Sequence, residues 1–497
     1  MTSQPLMVVG TGSGVGKSSL VAGIGRLLQR RGYDLAPFKA QNMSNNSHIA
    51  REGGEMAVSQ FMQARSCRTQ PSVHMNPILL KPNGDGESEV VVQGTPRGVM
   101  EWEDYRDRFL EMRGYVRESY DHIAEDHDLV LLEGAGSPAE PNMMDHDLVN
   151  LSLAEELDAR VILVGDISRG GVFAWLVGTL ELLEPSQRDL IEGIVINKFR
   201  GDKSVLHDAM RDVERRLNVP FLGVLPWSDH AQLPAEDSQD LTGLESRSRS
   251  NDPLDVCMLK FPHLSNFTDF EPLANHPSVS FNIVGPADRP LNPDLIILPG
   301  TKNTLRDLRW LKKCELFDWL NQQRANGSHI LGVCGGYQMM GREIRDPDAL
   351  ESDFGSREGL GWFDFRVEYR EPKLTRSISG TLNDFDTSFE GYEVRYGRFV
   401  DGEADPWISG SGEILGRKRD KILGTSIHGL LRNDEVLQKF LARITGSGSA
   451  PEYSNSSAGS VSIYDKWSDV VADNLAVEQL VEIVEGSAVS ASVVESP

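Results

Sequence analysis

Cysteine is scarce in this chain, with four in 497 residues: Cys67, Cys257, Cys314 and Cys334. So few and so widely spaced, they make neither a disulfide framework nor a close pair of metal ligands, which suits a reducing compartment. Long hydrophobic runs are also missing, since no stretch approaches the ~20 apolar residues of a membrane span. The opening Met1-Thr2-Ser3-Gln4-Pro5 lacks the basic-then-apolar pattern of a secretion signal, so a cytoplasmic location is expected. Positive charge is in deficit, 50 Lys and Arg against 74 Asp and Glu, for a formal net charge of -24. Such a balance repels nucleic acid and anionic membranes, and no basic stripe offsets it, so neither is an expected partner.

What is present is the composition of a globular protein, 39% hydrophobic and 25% charged. The length favours two domains over one core. From Leu6 to about Pro226 short apolar runs alternate with helical patterns, at Leu6 to Val9, Leu35 to Phe38, Leu129 to Leu132, Val161 to Val164, Ile191 to Ile196 and Phe221 to Val224. Alternation of this kind is the mark of parallel strands joined by crossover helices. A second alternating block has strands predicted at Val256 to Lys260, Ser280 to Val284, Leu295 to Leu298 and His329 to Val333. The expected architecture is therefore α/β with two domains, each a mostly parallel sheet flanked by helices. They span 1–235 and 253–447, with a polar linker at 236–252. A Gly/Ser-rich stretch and a docking helix follow in 448–487, and 488–497 is expected to be a disordered tail.

The first chemical motif is Gly10-Thr11-Gly12-Ser13-Gly14-Val15-Gly16-Lys17-Ser18, which links a strand to a helix. Glycines at Gly12, Gly14 and Gly16 let backbone N–H groups cradle phosphates, Lys17 would reach the terminal phosphates and Ser18 would hold magnesium. With Gly-Thr and then four residues before Gly-Lys-Ser, it resembles the dethiobiotin synthetase type of phosphate loop. Glu133 ends an apolar strand and is the expected second magnesium anchor beside the phosphate loop; alone, such a glutamate is more often a solvated or helix-capping residue. Lys39, also at a strand end, would offset charge on a transferred phosphoryl group. It opens the polar run Gln41 to His48, expected to be a loop too polar for a core. Asn197-Lys198 ends a further strand where related phosphate-loop proteins read the base, and the lack of an Asp two residues after Lys198 favours adenine, hence ATP.

The second motif is Ile330-Leu331-Gly332-Val333-Cys334-Gly335-Gly336-Tyr337-Gln338, a strand running into a sharp turn and a helix. A cysteine at such a tip is a nucleophile with an oxyanion N–H following it, here at Gly335. The arrangement resembles the class I glutamine amidotransferases, which makes Gln338 a glutamine contact, Gly300 the second oxyanion donor and His428 the general base. Those enzymes have a glutamate two residues after the histidine. Here that position is Leu430, so the group orienting His428 is unidentified, and neither Glu393 nor Asp434 is assigned to it.

Phe38 to Asn46, Met75 to Pro82, Glu133 to Glu140, Arg169 to Ala174, Asn197 to Asp202, Ser265 to Phe270, Pro299 to Thr304 and the cysteine turn together resemble the cobyric acid synthase family, over nearly the whole chain to His428. The resemblance implies ATP- and glutamine-dependent amidation of the b, d, e and g carboxylates of adenosylcobyrinic acid a,c-diamide, through acyl phosphates. It also implies that Asp145 belongs to an acidic acceptor loop, the alternative being an N-cap for the helix near Asn150. Lys39, Lys81, Arg169 and Arg200 are candidate cations for the polycarboxylate. Two positions depart from the family pattern: Ser168 stands where Asp is usual, and Arg395 where His is usual. The alternatives are cobyrinic acid a,c-diamide synthase, and a phosphate-loop regulatory ATPase with a non-catalytic cysteine domain. Regulators of that kind often carry an extra early lysine, which Gly10 to Gly14 lacks.

Overall fold

The computed structural model describes residues 5–84, 86–142, 144–228, 241, 244–245, 254–288, 290, 292–402, 405–446 and 462–486. The expected linker, apart from Leu241, Leu244 and Glu245, the Gly/Ser stretch up to residue 461 and the tail 488–497 lie outside the described residues.

Apolar runs too short for helices and buried on both faces form parallel strands. Six of them make the first sheet, in the order Phe221–Pro226, Ile191–Phe199, Arg160–Asp166, Leu6–Gly10, Leu129–Glu133 and Leu35–Phe38, all pairings parallel. Each strand expected here is found, Leu35–Phe38 with the expected bounds and the others lengthened by one to three residues at their ends. The phosphate loop leaves the sheet after Leu6–Gly10, whose neighbours are Arg160–Asp166 on one side and Leu129–Glu133 on the other. Carboxyl ends of three adjacent strands thus converge on one crevice, the usual ligand position in an open α/β sheet.

Between Lys39 and Trp102 the chain departs from this plan. It builds a four-stranded sheet, Gln41–Met43, Ile78–Gly84, Glu87–Val92 and Thr95–Glu101, and a ribbon pairing Ser47–Ile49 with Glu55–Ala57. Most of the run expected to be too polar for a core is buried: Asn42, Ser44, Asn45, Asn46 and Ser47 are each at most 8% exposed, while Met43 points outward. The reason is the second unit, which covers the run and supplies partners that no local pattern shows. Ser47 N–H donates to Asn266 Oδ1 at 2.8 Å, and Tyr392 OH donates to Ser47 O at 3.0 Å.

The second unit carries an eleven-stranded sheet. Its parallel part runs Val279–Val284, Leu254–Leu259, Leu295–Leu298, His329–Val333 and Ile422–Thr425. Antiparallel strands extend it, including the long hairpin of Arg366–Leu382 with Thr387–Val400. The single terminal helix expected over Tyr464 to Glu485 is two, Ile463–Asn474 and Val477–Val484. They are separated because Leu475 bridges to Gly223 and Ala476 N–H donates to Leu222 O at 2.7 Å. Ile463–Asn474 packs on Lys17–Arg30, the helix that follows the phosphate loop. Trp467 and Val471 sit over Gly23, where a Cβ would lie 2.6 Å from Val471 Cγ2 and 2.8 Å from Trp467 Nε1.

Candidate active sites

The phosphate loop is shaped by two glycines in the left-handed region, Gly14 at φ 70° and Gly16 at φ 98°. At Gly16 a Cβ would also strike the Asn197 amide. Lys17 Nζ donates to the carbonyls of Gly12 and Gly136, each at 3.0 Å, so the ammonium lies across the loop's own concavity. Ser18 Oγ donates to Glu133 Oε1 at 2.8 Å, Lys39 Nζ lies 2.9 Å from the same oxygen, and Gln63 Nε2 donates to Oε2 at 2.5 Å. Glu133 is 1% exposed and would be costly as an unpaired charge; Lys39, Ser18 and Gln63 together satisfy it. Ser18 and Glu133 thus meet, as the motif and the strand end foretell, with Lys39 beside them.

Asn197 serves the loop. Its Nδ2 donates to Val15 O at 2.9 Å and its Oδ1 accepts Lys198 N–H at 2.8 Å, so both ends of the amide are engaged. Above the loop lies a cleft of about 500 Å³ whose wall includes Thr11, Gly12, Asp166, Arg169, Trp175 and Leu182. Ser168 caps the Asp166 end of its strand, with Oγ and N–H both donating to Asp166 Oδ1, at 2.7 and 2.8 Å. Of the candidate cations for a polycarboxylate, Arg169 faces this cleft. Arg200 instead stacks over Trp227, 4.1 Å from the ring centroid, and Lys81 is buried between the units, 2.6 Å from Glu55. The backbone of Asp145 lies in the turn Met144–His146, and its side chain is outside the described residues. The capping of Leu151–Leu157 falls to Asp147, whose carboxylate accepts the N–H groups of Val149, Asn150 and Ser152.

In the second unit Cys334 sits at φ 49° and ψ -108°, a strained tip between His329–Val333 and the short helix Gly335–Met339. The turn closes this tightly because Gly336 N–H donates to Pro299 O at 3.1 Å with no room for a side chain. Gly300 lies against the site as well; a Cβ there would be 3.4 Å from His428 Cε1 and 2.9 Å from Ser265 O. Gln338 is buried, and its Oε1 accepts Tyr369 OH at 2.9 Å. The other cysteines lie elsewhere: Cys67 and Cys257 are buried, with thiols pushed up to about 12 by burial, and Cys314 is half-buried.

His428 has a carboxylate partner that the sequence left unidentified. Asp269 Oδ2 lies 2.7 Å from His428 Nδ1, and Asp269 Oδ1 accepts Gly429 N–H at 2.9 Å. Burial opposes charge on the imidazole, but the Asp269 carboxylate and the Cys334 sulfur outweigh it and raise His428 to about 10. The signal was in the segment Ser265 to Phe270, which carries the family resemblance but lies 159 residues from the histidine. Glu393 is not the orienter; its oxygens are taken by Arg395 at 2.8 Å, Arg376 at 2.6 Å and Ser426 Oγ at 2.6 Å. The unusual Arg395 therefore neutralises a buried glutamate. A cleft of about 1270 Å³ adjoins this site, with His48, Tyr392, Gly429, Arg65 and Arg432 in its wall.

Among the described residues no helix is long and apolar enough to cross a membrane. Residues 6–240 match the model of the CobQ/CobB/MinD/ParA nucleotide binding domain, and residues 255–436 that of the CobB/CobQ-like glutamine amidotransferase domain. Among curated relatives, cobyric acid synthase of Clostridium botulinum (strain Alaska E43 / Type E3) is 37% identical, covering 97% of this chain and 100% of its own. That of Methylorubrum populi is 39% identical over 97% and 99% of the two chains, and that of Sorangium cellulosum 39% over 89% and 91%. A nucleotide-binding unit and an amidotransferase unit, matched end to end by such relatives, place the chain in the cobyric acid synthase family.

Proposed function

We propose that this protein amidates the b, d, e and g side-chain carboxylates of adenosylcobyrinic acid a,c-diamide, with ATP and glutamine as co-substrates, and that the residues described above carry the two half-reactions. The single observation that supports this best is the pairing, in one chain of that family, of a Ser18–Glu133–Lys39 cluster under a phosphate loop with a Cys334–His428–Asp269 array.

At the second site the Cys334 sulfur attacks the glutamine amide carbon, and the oxyanion formed is met by the N–H groups of Gly300 and Gly335. Protonated His428, held by Asp269, gives its proton to the departing nitrogen, so ammonia leaves and a thioester remains. Water, giving one proton to His428, then cleaves the thioester, releasing glutamate and a proton and restoring the Cys334 sulfur and protonated His428. At the first site a substrate carboxylate takes the terminal phosphoryl group of ATP, leaving ADP. Ammonia attacks the acyl phosphate, the carbon–oxygen bond to phosphate breaks, and an amide, phosphate and a proton result. Lys17 and Lys39 would offset the charge on the phosphoryl group in flight. Magnesium, when bound, would add further screening; Ser18 Oγ and Glu133 are hard oxygen donors 2.8 Å apart, the chemistry such an ion takes. The acceptor carboxylate would enter by the cleft that Arg169 faces, and glutamine by the larger one beside Tyr392 and Gly429.

The names of the relatives favour cobyric acid synthase over the a,c-diamide synthase alternative. A Cys334→Ser variant tests the division of labour: glutamine-supported amidation and glutamate release are lost, while amidation from ammonium chloride and ATP persists within about twofold of the parent. A variant that released glutamate at the parent's rate would remove Cys334 from the reaction.

A further inference from the structure

The helix Val172–Leu182 reads Val-Phe-Ala-Trp-Leu-Val-Gly-Thr-Leu-Glu-Leu, with Glu181 as its one charged residue. A helix so apolar all round is ordinarily covered on every side. Val172, Leu176 and Leu180 do enter the core of the first unit. The other side stays open: Trp175 is 41% exposed and Leu182 57%, and neither belongs to that core. Trp175, Gly178 and Leu182 follow one another at spacings of three and four, which sets them on one face. That face is part of the wall of the cleft above the phosphate loop.

The cleft is bare where a broad ligand would lie. A Cβ added at Gly12 or Gly178, both in its wall, would meet no atom within 4 Å. The Trp175 ring lies beside Gly171, whose Cβ would be 3.9 Å from Nε1, and Arg169 brings its guanidinium over the loop, with Nη2 3.7 Å from where a Cβ of Gly14 would be. Apolar surface, a cation and a phosphate site thus succeed one another along one wall. The acids there do not cancel the cation. Asp166 is already paired with Lys198 at 3.1 Å, and Glu140 is exposed and screened by water.

We propose that Trp175, Gly178 and Leu182 form a shelf that takes the apolar, methyl-bearing face of the corrin ring, while Arg169 pairs with one carboxylate at its rim and another reaches the phosphate loop. The proposal rests on the function proposed above. At about 500 Å³ the cleft admits an edge of such a ring and not the whole, so the rest must lie on what borders it, where Leu182 is most exposed. Hydrophobic contact has no fixed direction. One shelf therefore serves four acceptors, the ring being turned on it until the next carboxylate faces the phosphoryl group. A site of directional hydrogen bonds to the ring's side chains would fit one orientation and lose the others.

The test is steady-state amidation from ammonium chloride and ATP with the corrin varied. Trp175→Ala raises KM for adenosylcobyrinic acid a,c-diamide at least about tenfold while kcat falls less than about threefold, as for a contact made equally before and during reaction. With each partly amidated corrin as substrate the rise is the same within about threefold. Trp175→Phe recovers most of the affinity. Leu182→Asp, at an exposed position, raises the same KM by placing a negative charge under an anionic ligand, and gives a second reading if Trp175→Ala does not fold. Binding without ATP is read as quenching of tryptophan emission by the corrin, and Trp175→Phe loses part of the quenching while still binding. An unchanged KM for the corrin in folded variants overturns the shelf, as does a rise confined to one of the four amidations. An equal rise in KM for ATP gives the ring to the nucleotide, and a parent dimer that Leu182→Asp dissociates without altering KM gives the face to a second copy; either overturns it too. A parent that neither binds nor amidates the corrin overturns the function proposed above instead, so the two failures are distinct.

Discussion

Asp269 does for His428 what a nearby glutamate does in the usual amidotransferase, from a different place in the chain. Its two oxygens divide the work, one on the imidazole and one on the Gly429 N–H, so the carboxylate is fixed before the ring is. The sign of the pH dependence follows. His428 is raised to about 10, hence it holds its proton below that pH and glutaminase activity declines as pH rises through it. Asp269→Asn removes the opposing charge, so the alkaline limb of kcat/KM for glutamine moves to lower pH and kcat falls by about 10²–10⁴-fold; a stopped pH-stat assay of glutamate release checks both. An unmoved limb would mean that Asp269 only packs. Much of this site could be read from residue types alone: Cys334 at a glycine-flanked strand end, and Lys17 and Ser18 after Gly16, are local patterns whose geometry follows from sequence neighbours. Asp269 could not, because its use depends on which loop the fold brings to the histidine. The strand-end position of Asn197 suggests a base contact, and its amide nitrogen donates to Val15 O.

Parallel strands were legible because a strand buried on both faces is a short unbroken apolar run between polar turns. The run from Asn42 to Ser47 was not, because its burial is conferred by a partner surface that, at Asn266, lies 219 residues from Ser47 in sequence. The terminal helices show the opposite case. Helical spacing of Trp467, Val470 and Val471 identified an apolar face, and the structure places it on the helix behind the phosphate loop, where Arg26 pairs with Asp465 at 2.6 Å and Trp467 Nε1 donates to Ser19 O at 2.6 Å. Ser19 adjoins Ser18, so this docking steadies the first turn of the helix behind the phosphate loop. Trp467→Ala removes a fully packed ring, 2% exposed, and is expected to cost about 3–5 kcal/mol, read as a lower unfolding midpoint in urea. ATP is expected to protect the parent against unfolding, and the variant to retain less of that protection. A loss under about 1 kcal/mol would show that the terminal helix is not part of the first unit's fold.

The two units are held together by buried charge as well as by apolar contact. Glu55 and Glu89 from the first meet Lys302 and Lys373 from the second and Lys81 from the first, with Lys373 2.6 Å from Glu55 and 2.9 Å from Glu89. Burial opposes ionisation of Glu55, yet Lys373 and Lys81 outweigh it and lower it from 4.5 to about 2. A carboxyl lowered on folding adds stability above its unfolded value and loses it as pH falls through the folded one. Acid therefore weakens the junction between about pH 4.5 and 2, and Glu55→Gln, less stable at neutral pH, shows a flatter thermal midpoint across that window. A variant with the parent's slope would place the acid response elsewhere. The proposed function requires nitrogen and phosphoryl chemistry to be joined in one molecule. Its most direct measurement is the mass of the corrin after incubating the purified chain with adenosylcobyrinic acid a,c-diamide, ATP and amide-¹⁵N glutamine. The prediction is stepwise replacement of carboxyl hydroxyl by ¹⁵N-amino at the b, d, e and g groups, with one ADP and one glutamate per step. An unchanged corrin while ADP and glutamate accumulate, or amides formed without ATP, would contradict it.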